Sequence, residues 1–358
     1  MNKPNSKLVL GKSYSPLDTP STGFFCAWKS IHPVFIISII IGLIVLLSSG
    51  CKEQVSTPDW SYDKTTASNQ LELENVATIK YSEFSDPLTE SYDLDSPVRF
   101  VCYNLRNYLT MRRGKEQRFK PENEVNAVIN NIIRANPDIL GVCEIGTQKD
   151  LKHLQGHLKQ AGCHLPYIHL SIGDDPYRRQ AVLSRYPLKH HEVPEYTYKM
   201  KGKRHKVRRG ILDVTVQTPK GNVRFLGAHL KSKRPIAIYD QAEIRRAEAQ
   251  ILRKHASFIL KAPTKLIVFG DMNDTKGSSA IRLMTGYKEG KLTAIELFDK
   301  SGTKWTQYWA KEDIYSRFDY VFASKAILPM INQKSSYILD TPVGDLASDH
   351  RALVILID

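Results

Sequence analysis

The sequence predicts an α/β domain in which mixed β-sheets stack on each other and helices lie outside. Three observations predict it. Short apolar runs of strand length alternate with two long amphipathic stretches of helical period. Two of the runs are joined by a turn that makes a hairpin. Polar residues able to bind a cation or move a proton end run after run. The 358 residues are 42% hydrophobic and 25% charged, which is ordinary for a globular chain. That composition excludes a disordered tail protein, a collagen-like fibre, a polytopic membrane protein and a small disulfide scaffold.

Residues 1–33 form a basic n-region carrying Lys3, Lys7, Lys12 and Lys29. Residues 34–51 form a signal or anchor segment: Val34–Leu47 is apolar and Ser48-Ser49-Gly50-Cys51 follows. Two readings stand side by side. One is a bacterial lipoprotein signal that leaves Cys51 lipidated at the mature N-terminus; the other is an uncleaved span of about 20 residues from Ile31. In both, the positive charge before the run keeps that end cytoplasmic and the rest is exported, so the expected location is membrane-anchored and extracytoplasmic. Residues 52–96 carry three Lys against ten Asp and Glu, and read as an acidic linker that holds the downstream domain away from an anionic membrane.

The folded domain is expected over 97–358. Val98–Tyr103 reads as its first strand. Asn123–Asn136 then places Val125, Val128, Ile129, Ile132 and Ile133 on one helical stripe. Ile139–Cys143 and Ala181–Ser184 are further strands. In Ile211–Thr218, Leu212, Val214 and Val216 alternate with polar residues, and Pro219-Lys220-Gly221-Asn222 turns the chain into Val223–Ala228. Asp240–Leu260 is a second long helix, with Ile244, Ala247, Ile251 and Phe258 inward and a basic outer face. Leu266–Phe269, Phe318–Ala323 and Ala352–Ile357 complete the set. The five cysteines form no disulfide framework or zinc-type spacing; Cys102 and Cys143 read as small apolar residues within strands.

Charge points to a partner. Residues 97–358 carry 44 basic and 26 acidic side chains, a net of +18 within a whole-chain +14. Such an excess attracts polyanions and steers acidic substrates inward. Asn104, Glu144 and His229 each close a strand run. Asp271 and Asn273 follow Leu266–Gly270, Asp319 lies in Phe318–Ala323, and Asp349 and His350 precede the last strand. Adjacent strand ends converge, so these groups can share one cleft. Carboxylates and carboxamides without thiolates favour a hard cation, Mg²⁺ or Mn²⁺. With imidazoles to move protons, the reaction class is metal-assisted phosphodiester or phosphomonoester hydrolysis.

Tyr103-Asn104-Leu105, Val142-Cys143-Glu144-Ile145, Ala228-His229-Leu230-Lys231-Ser232, Gly270-Asp271-Met272-Asn273, Phe318-Asp319-Tyr320 and Ser348-Asp349-His350 together resemble the endonuclease/exonuclease/phosphatase superfamily, in the right order over 97–358. The resemblance implies a four-layer α/β sandwich in which 97–358 is the catalytic domain. It implies that Glu144 is the main metal ligand, with Asn104 and Asp349 completing the site. His350 is then the general base, oriented by Asp319. Asp271 and Asn273 hold the water or leaving oxygen and the phosphate, and His229 donates to a phosphate oxygen. One position departs from the pattern: Cys143 stands before the metal Glu, where Gln is frequent.

Lys199–Arg209 holds seven Lys and Arg in eleven positions, and Lys231-Ser232-Lys233-Arg234 adjoins His229. Lys231, Lys233, Arg208 and Arg209 are therefore expected to bind substrate, and nucleic acid is the expected partner, because phosphate-backbone binding is sequence-independent. Tyr177, Tyr196 and Tyr198 are candidates for base stacking. Two alternatives stay open: a lipid or small-molecule phosphodiesterase or phosphatase of the same fold, whose lipid-acting relatives present apolar, aromatic loops, and a non-catalytic binding module.

Overall fold

A computed structural model describes residue 93, residues 95–286 and residues 290–358. The n-region, the 34–51 segment with Cys51 and nearly all of the acidic linker lie outside the described residues. Among those described, no helix is long and apolar enough to cross a membrane.

Two six-stranded mixed sheets make the centre. In spatial order the first carries Tyr337–Ile338, Leu353–Ile357, Val98–Tyr108, Ile139–Ile145, Arg179–Ser184 and Tyr167–Leu170; the second carries Leu292–Ala294, Asp319–Ser324, Leu266–Asp271, Gly221–His229, Ile211–Thr218 and Leu188–His190. Each sheet has one parallel pair, Val98–Tyr108 with Ile139–Ile145 and Gly221–His229 with Leu266–Asp271. A helix spans each crossover, Glu122–Ala135 in the first sheet and Gln241–Ile259 in the second. Parallel strands need such a connection, and it leaves both C-terminal ends at the same edge. Asn104 and Glu144 leave the first pair there; His229 and Asp271 leave the second, directly opposite each other in register.

The layers follow from which faces are apolar. Phe100, Cys102, Val182, Leu212, Val214, Phe225, Ile267, Phe269 and Ile355 fill the space between the sheets, with Phe100 packed on Phe225 and Phe269 at ring separations of 4.9 and 5.1 Å. Val125, Val128, Ile129 and Ile132, with Leu151, Leu154 and Leu158 of the helix Gln148–Gln160, cover the outer face of the first sheet. Ala249, Leu252, Ala256 and Ile259 cover the second. Helix, sheet, sheet, helix is the four-layer sandwich that the resemblance implies.

Every strand run read from the sequence is a strand. The helix Gln241–Ile259 is rotated from expectation: Ile244 is inside, but Phe258 is 67% exposed, while Arg245 and Glu248 are buried. Those two hydrogen-bond to the loop after His229, so polar satisfaction overrides the apolar stripe. The basic run at 199–209 folds mostly as a hairpin, Thr197–Met200 with Lys203–Lys206. Cys102, Cys143 and Cys163 are buried unpaired thiols.

Candidate active site

The site is built where backbone regularity breaks. A register shift interrupts the first parallel pair between Asn104 and Tyr108, and another lies beside Glu144, between Cys143 and Ile145. Bulges of this kind re-aim side chains. Arg106, Asn107, Glu144 and Asn273 all have positive φ, Glu144 at 61°. Non-glycine residues hold that conformation only where the surroundings over-determine it. Gly270 has φ 131°, and a Cβ there would lie 2.0 Å from the Ala228 carbonyl oxygen; only glycine lets the strand reach Asp271.

Six of the eight residues expected in the catalytic and metal set are connected through polar side-chain contacts at 3.9 Å or less. Asp319 Oδ2 and His350 Nδ1 are 2.8 Å apart. His350 Nε2 faces Asp271 Oδ2 at 3.8 Å, and His229 Nε2 faces the same oxygen at 3.4 Å. Asn104 Nδ2 donates to that oxygen at 3.1 Å. His229 Nε2 is also 3.9 Å from Glu144 Oε1. The other Glu144 oxygen accepts the Asn107 N–H at 2.9 Å. Asn273 N–H donates to Asp271 Oδ1, and its side chain donates to the Leu230 carbonyl, which also accepts from Arg209 Nη1. Asp349 sits at the mouth, 36% exposed, 3.8 Å from Arg106.

Burial and crowding set the charges. Burial alone would push the His350 imidazole down; Asp319, and behind it Asp271 and Asp349, more than offset this and hold it well above its ordinary value. His229 is driven the other way, by burial first and then by Arg209, His350 and Arg178, so it stays neutral. Burial raises the Asp271 carboxyl, with Asp319 and Glu144 adding to the rise against His350.

Asp271, Asp319 and His350 each offer a ligand atom within 4.8 Å of the others. In that trio His350 Nδ1 is already taken by Asp319, which suits a proton-handling pair better than two ligands. Asp319 Oδ1 and His229 Nδ1 are buried without hydrogen-bond partners, so the cluster keeps unused capacity. Although among the described residues the group whose ligand atoms lie within 4.8 Å of one another is Asp271, Asp319 and His350, Glu144, Asn104, Asp271 and Asp349 supply oxygens rather than thiolates. That donor set fits a hard divalent cation.

Several supporting residues carry no sequence signal of their own. Arg178 Nε lies 3.8 Å from Glu144. Thr306 Oγ1 accepts the backbone N–H of Asp319, and Ser348 Oγ donates to the Asn104 carbonyl while accepting the His350 N–H. Gln307 Nε2 reaches Asp349 at 3.4 Å. None carries a motif, and only the Ser-Asp-His run hinted at Ser348. Of the expected substrate-binding cations, Arg208 is exposed, and half-buried Arg209 pairs with Asp175 at 3.8 Å and donates to the Leu230 carbonyl next to His229. Lys233 is paired loosely with Asp274 at 3.7 Å. Lys231 Nζ turns back onto its own loop, donating to the Ser232 and Arg234 carbonyls; burial and Arg209 lower its amine to about 8. Tyr196 is tied to His255 at 2.8 Å and Tyr198 stacks on His205, leaving Tyr177 as the exposed tyrosine of the three. Tyr177 helps line a cleft of about 410 Å³ that also touches Gly146 and Thr147, just past Glu144.

Two central strand–helix–strand units deliver carboxylates and imidazoles from their strand ends to one point of a four-layer α/β sandwich. Residues 103–350 match the model of the endonuclease/exonuclease/phosphatase family, and the chain belongs to that family, whose members are typically phosphodiesterases or phosphatases and commonly use divalent metals. The fold is similar to that of TDP2 from Caenorhabditis elegans (TM-score 0.52, 16% identity, 73% of this chain and 75% of that one). It is also similar to beta toxin from Staphylococcus aureus (0.53, 14%, 73% and 100%) and sphingomyelinase C from Streptomyces griseocarneus (0.50, 14%, 73% and 99%). No curated protein matches the chain by sequence.

Proposed function

We propose that this protein is a metal-dependent phosphodiester hydrolase acting on nucleic acid, DNA or RNA. The observation that carries the chemistry is the buried Asp319–His350 pair, 2.8 Å apart, with Asp271 3.8 Å beyond the other ring nitrogen. Asp319 accepts from Nδ1, which fixes the tautomer of the neutral ring and makes Nε2, in that form, the atom that takes a proton from the attacking water. The oxygen–phosphorus bond to that water forms while the bond to the leaving oxygen breaks. Neutral His229 is the donor to a phosphoryl oxygen, and Asn273 with Asp271 positions the phosphate. Glu144, with Asn104 and Asp349, would hold the cation, Mg²⁺ or Mn²⁺, which when bound supplies Lewis-acid charge to the phosphoryl oxygens. Nucleic acid is favoured because Arg209 and the Lys231–Arg234 loop flank His229, on a domain of net +18.

A lipid-headgroup reading has one observation behind it. The hairpin Gln307–Trp309 with Ile314–Ser316 adjoins Asp349 and exposes Trp309, Ile314 and Tyr315. Its turn, however, reads Lys311-Glu312-Asp313, all exposed, and a charged tip disfavours insertion into a bilayer. A panel of plasmid DNA, RNA, sphingomyelin and bis-nitrophenyl phosphate, with Mg²⁺, Mn²⁺ or chelator, tests both. Metal-dependent nicking that Glu144→Gln and His350→Ala each reduce at least about 100-fold is expected. Unaffected nicking in both variants refutes the site, and no hydrolysis of any diester leaves a binding module.

Residues 1–96 support a further part of the proposal: export, and tethering at the membrane through lipidated Cys51 or an uncleaved span. Mass spectrometry of the mature N-terminus distinguishes the two.

A further inference from the structure

The hairpin Thr197–Met200 with Lys203–Lys206 sorts its side chains by face. Its register pairs Tyr198 with His205 and Met200 with Lys203 on one side, and Thr197 with Lys206 and Lys199 with Arg204 on the other. The first side is anchored: Tyr198 stacks on His205, His205 packs edge-on to Tyr239, and Lys201 Nζ donates to the Ile238 carbonyl. The second side is a cationic face. Lys206 is balanced by Glu195 at 3.0 Å and Asp174 at 3.5 Å. Lys199 and Arg204 are exposed, stand directly opposite each other, and have no acidic partner among the described residues. Like charges in that position destabilise a hairpin, so the arrangement costs stability in the free protein that a bound anion would offset.

The hairpin also has an address. His205 and Lys201 dock it on Tyr239 and Ile238, at the end of the segment that begins with His229 and Lys231-Ser232-Lys233-Arg234. At its other end it runs through Arg208 into Arg209, whose guanidinium bonds Leu230. Arg204 lies five residues along the chain from Arg209, and a nucleic-acid strand carries a phosphate about every 3.4 Å of axis, so one strand can offer successive phosphates to Arg209 and to the hairpin.

We infer that the Lys199–Arg204 face of this hairpin is an exosite for the phosphate backbone of a polynucleotide, several nucleotides from the bond cut, so that the enzyme's substrate is a polymer rather than a small phosphodiester. The inference rests on the nuclease reading for its substrate class. Neither residue belongs to the catalytic cluster, and backbone contact carries no sequence choice.

The test compares wild type with Lys199→Gln/Arg204→Gln and with the charge-preserving Lys199→Arg/Arg204→Lys. Binding of a fluorescent 20-nucleotide strand is followed by anisotropy in chelator, where nothing is cleaved, over a salt series. The Gln pair should weaken binding about tenfold near 0.1 M salt and lower the log–log salt slope by roughly 1.4, about 0.7 for each phosphate no longer neutralised on a single strand. The charge-preserving pair should bind as wild type. With metal, the Gln pair should raise KM for the strand at unchanged kcat, and leave bis-nitrophenyl phosphate hydrolysis unaltered. Its melting temperature should be no lower than wild type, since a repulsive pair has been removed. Unchanged affinity and slope, or equal losses on strand and small diester, overturn the exosite. Hairpin-dependent binding to phosphatidylglycerol vesicles with strand binding unaffected also overturns it, in favour of a membrane. Hairpin-dependent strand binding without any strand cleavage refutes the nuclease reading and leaves the exosite standing.

Discussion

Replacing Glu248 by Gln should stabilise this protein, by an amount that grows as pH rises from 4.5 to 7 and levels off above. Glu248 is buried, and one carboxylate oxygen accepts the Lys231 backbone N–H at 2.7 Å. Burial pushes its carboxyl from an ordinary 4.5 up to about 7, although Lys231, Arg209 and Arg208 pull the other way. The folded state therefore holds this proton more tightly than the unfolded chain does. Its contribution to stability is fully present below pH 4.5 and is lost as pH rises through 7. A midpoint moved from 4.5 to about 7 withholds about 3 kcal/mol at pH 8. Glutamine keeps the shape and the acceptor for Lys231 but never ionises. Urea unfolding of both proteins at pH 4.5, 6, 7 and 8 should give equal stability at pH 4.5 and an advantage of about 3 kcal/mol for Glu248→Gln at pH 8. In thermal melts that corresponds to roughly 6–12 °C at pH 8. Titrating groups remote from Glu248 cancel in the difference, whereas the Lys231 amine, lowered by burial to about 8 although Glu248 raises it, adds its own change near pH 8. A pH-independent difference, or a variant less stable at pH 8, would show that Glu248 is ionised and structurally required, and the reasoning would fail.

Two further outcomes come from the same geometry. Asp319→Asn keeps the shape but removes the charge that supports protonated His350 and lets an amide N–H favour the other tautomer; kcat on a diester should fall at least about 100-fold with KM little changed, and a loss under threefold would remove Asp319 from the mechanism. Gly141→Ala puts a Cβ 2.4 and 2.6 Å from two ring carbons of Phe269; overpacking of this kind costs about 1–3 kcal/mol, read as a lower urea midpoint, and Phe269→Leu in the same chain should recover part of it.

Much of the architecture was legible because its signals are local. Alternation in Leu212–Val216 and the stripe from Val125 to Ile132 each report a periodicity that needs no distant partner. Short edge strands such as Tyr167–Leu170 and Leu188–His190 are too brief to show a period, and the helix Gln148–Gln160, with its Thr147–Asp150 capping box, is mostly polar on the outside. Phe258 was misplaced because an apolar residue at helical spacing reads as core, whereas the buried polar partners of Arg245 and Glu248 lie far away in sequence.

The sequence by itself determined the site's chemical inventory: Asn104, Glu144, His229, Asp271, Asn273, Asp319, Asp349 and His350 stand at strand ends because the hydrophobic pattern ends there, and their donor types do not depend on the fold. Tertiary structure alone decided which atoms meet. It placed Asp319 against His350, turned Glu144 inward through a positive-φ bulge, brought in Arg178 and Thr306, spent the Lys231 amine on its own loop, and divided a run of lysines and arginines into an anchored face and a cationic one. Those outcomes depend on strand register, where a shift of one residue reverses every side chain, and register is set by packing between segments that the linear order keeps far apart.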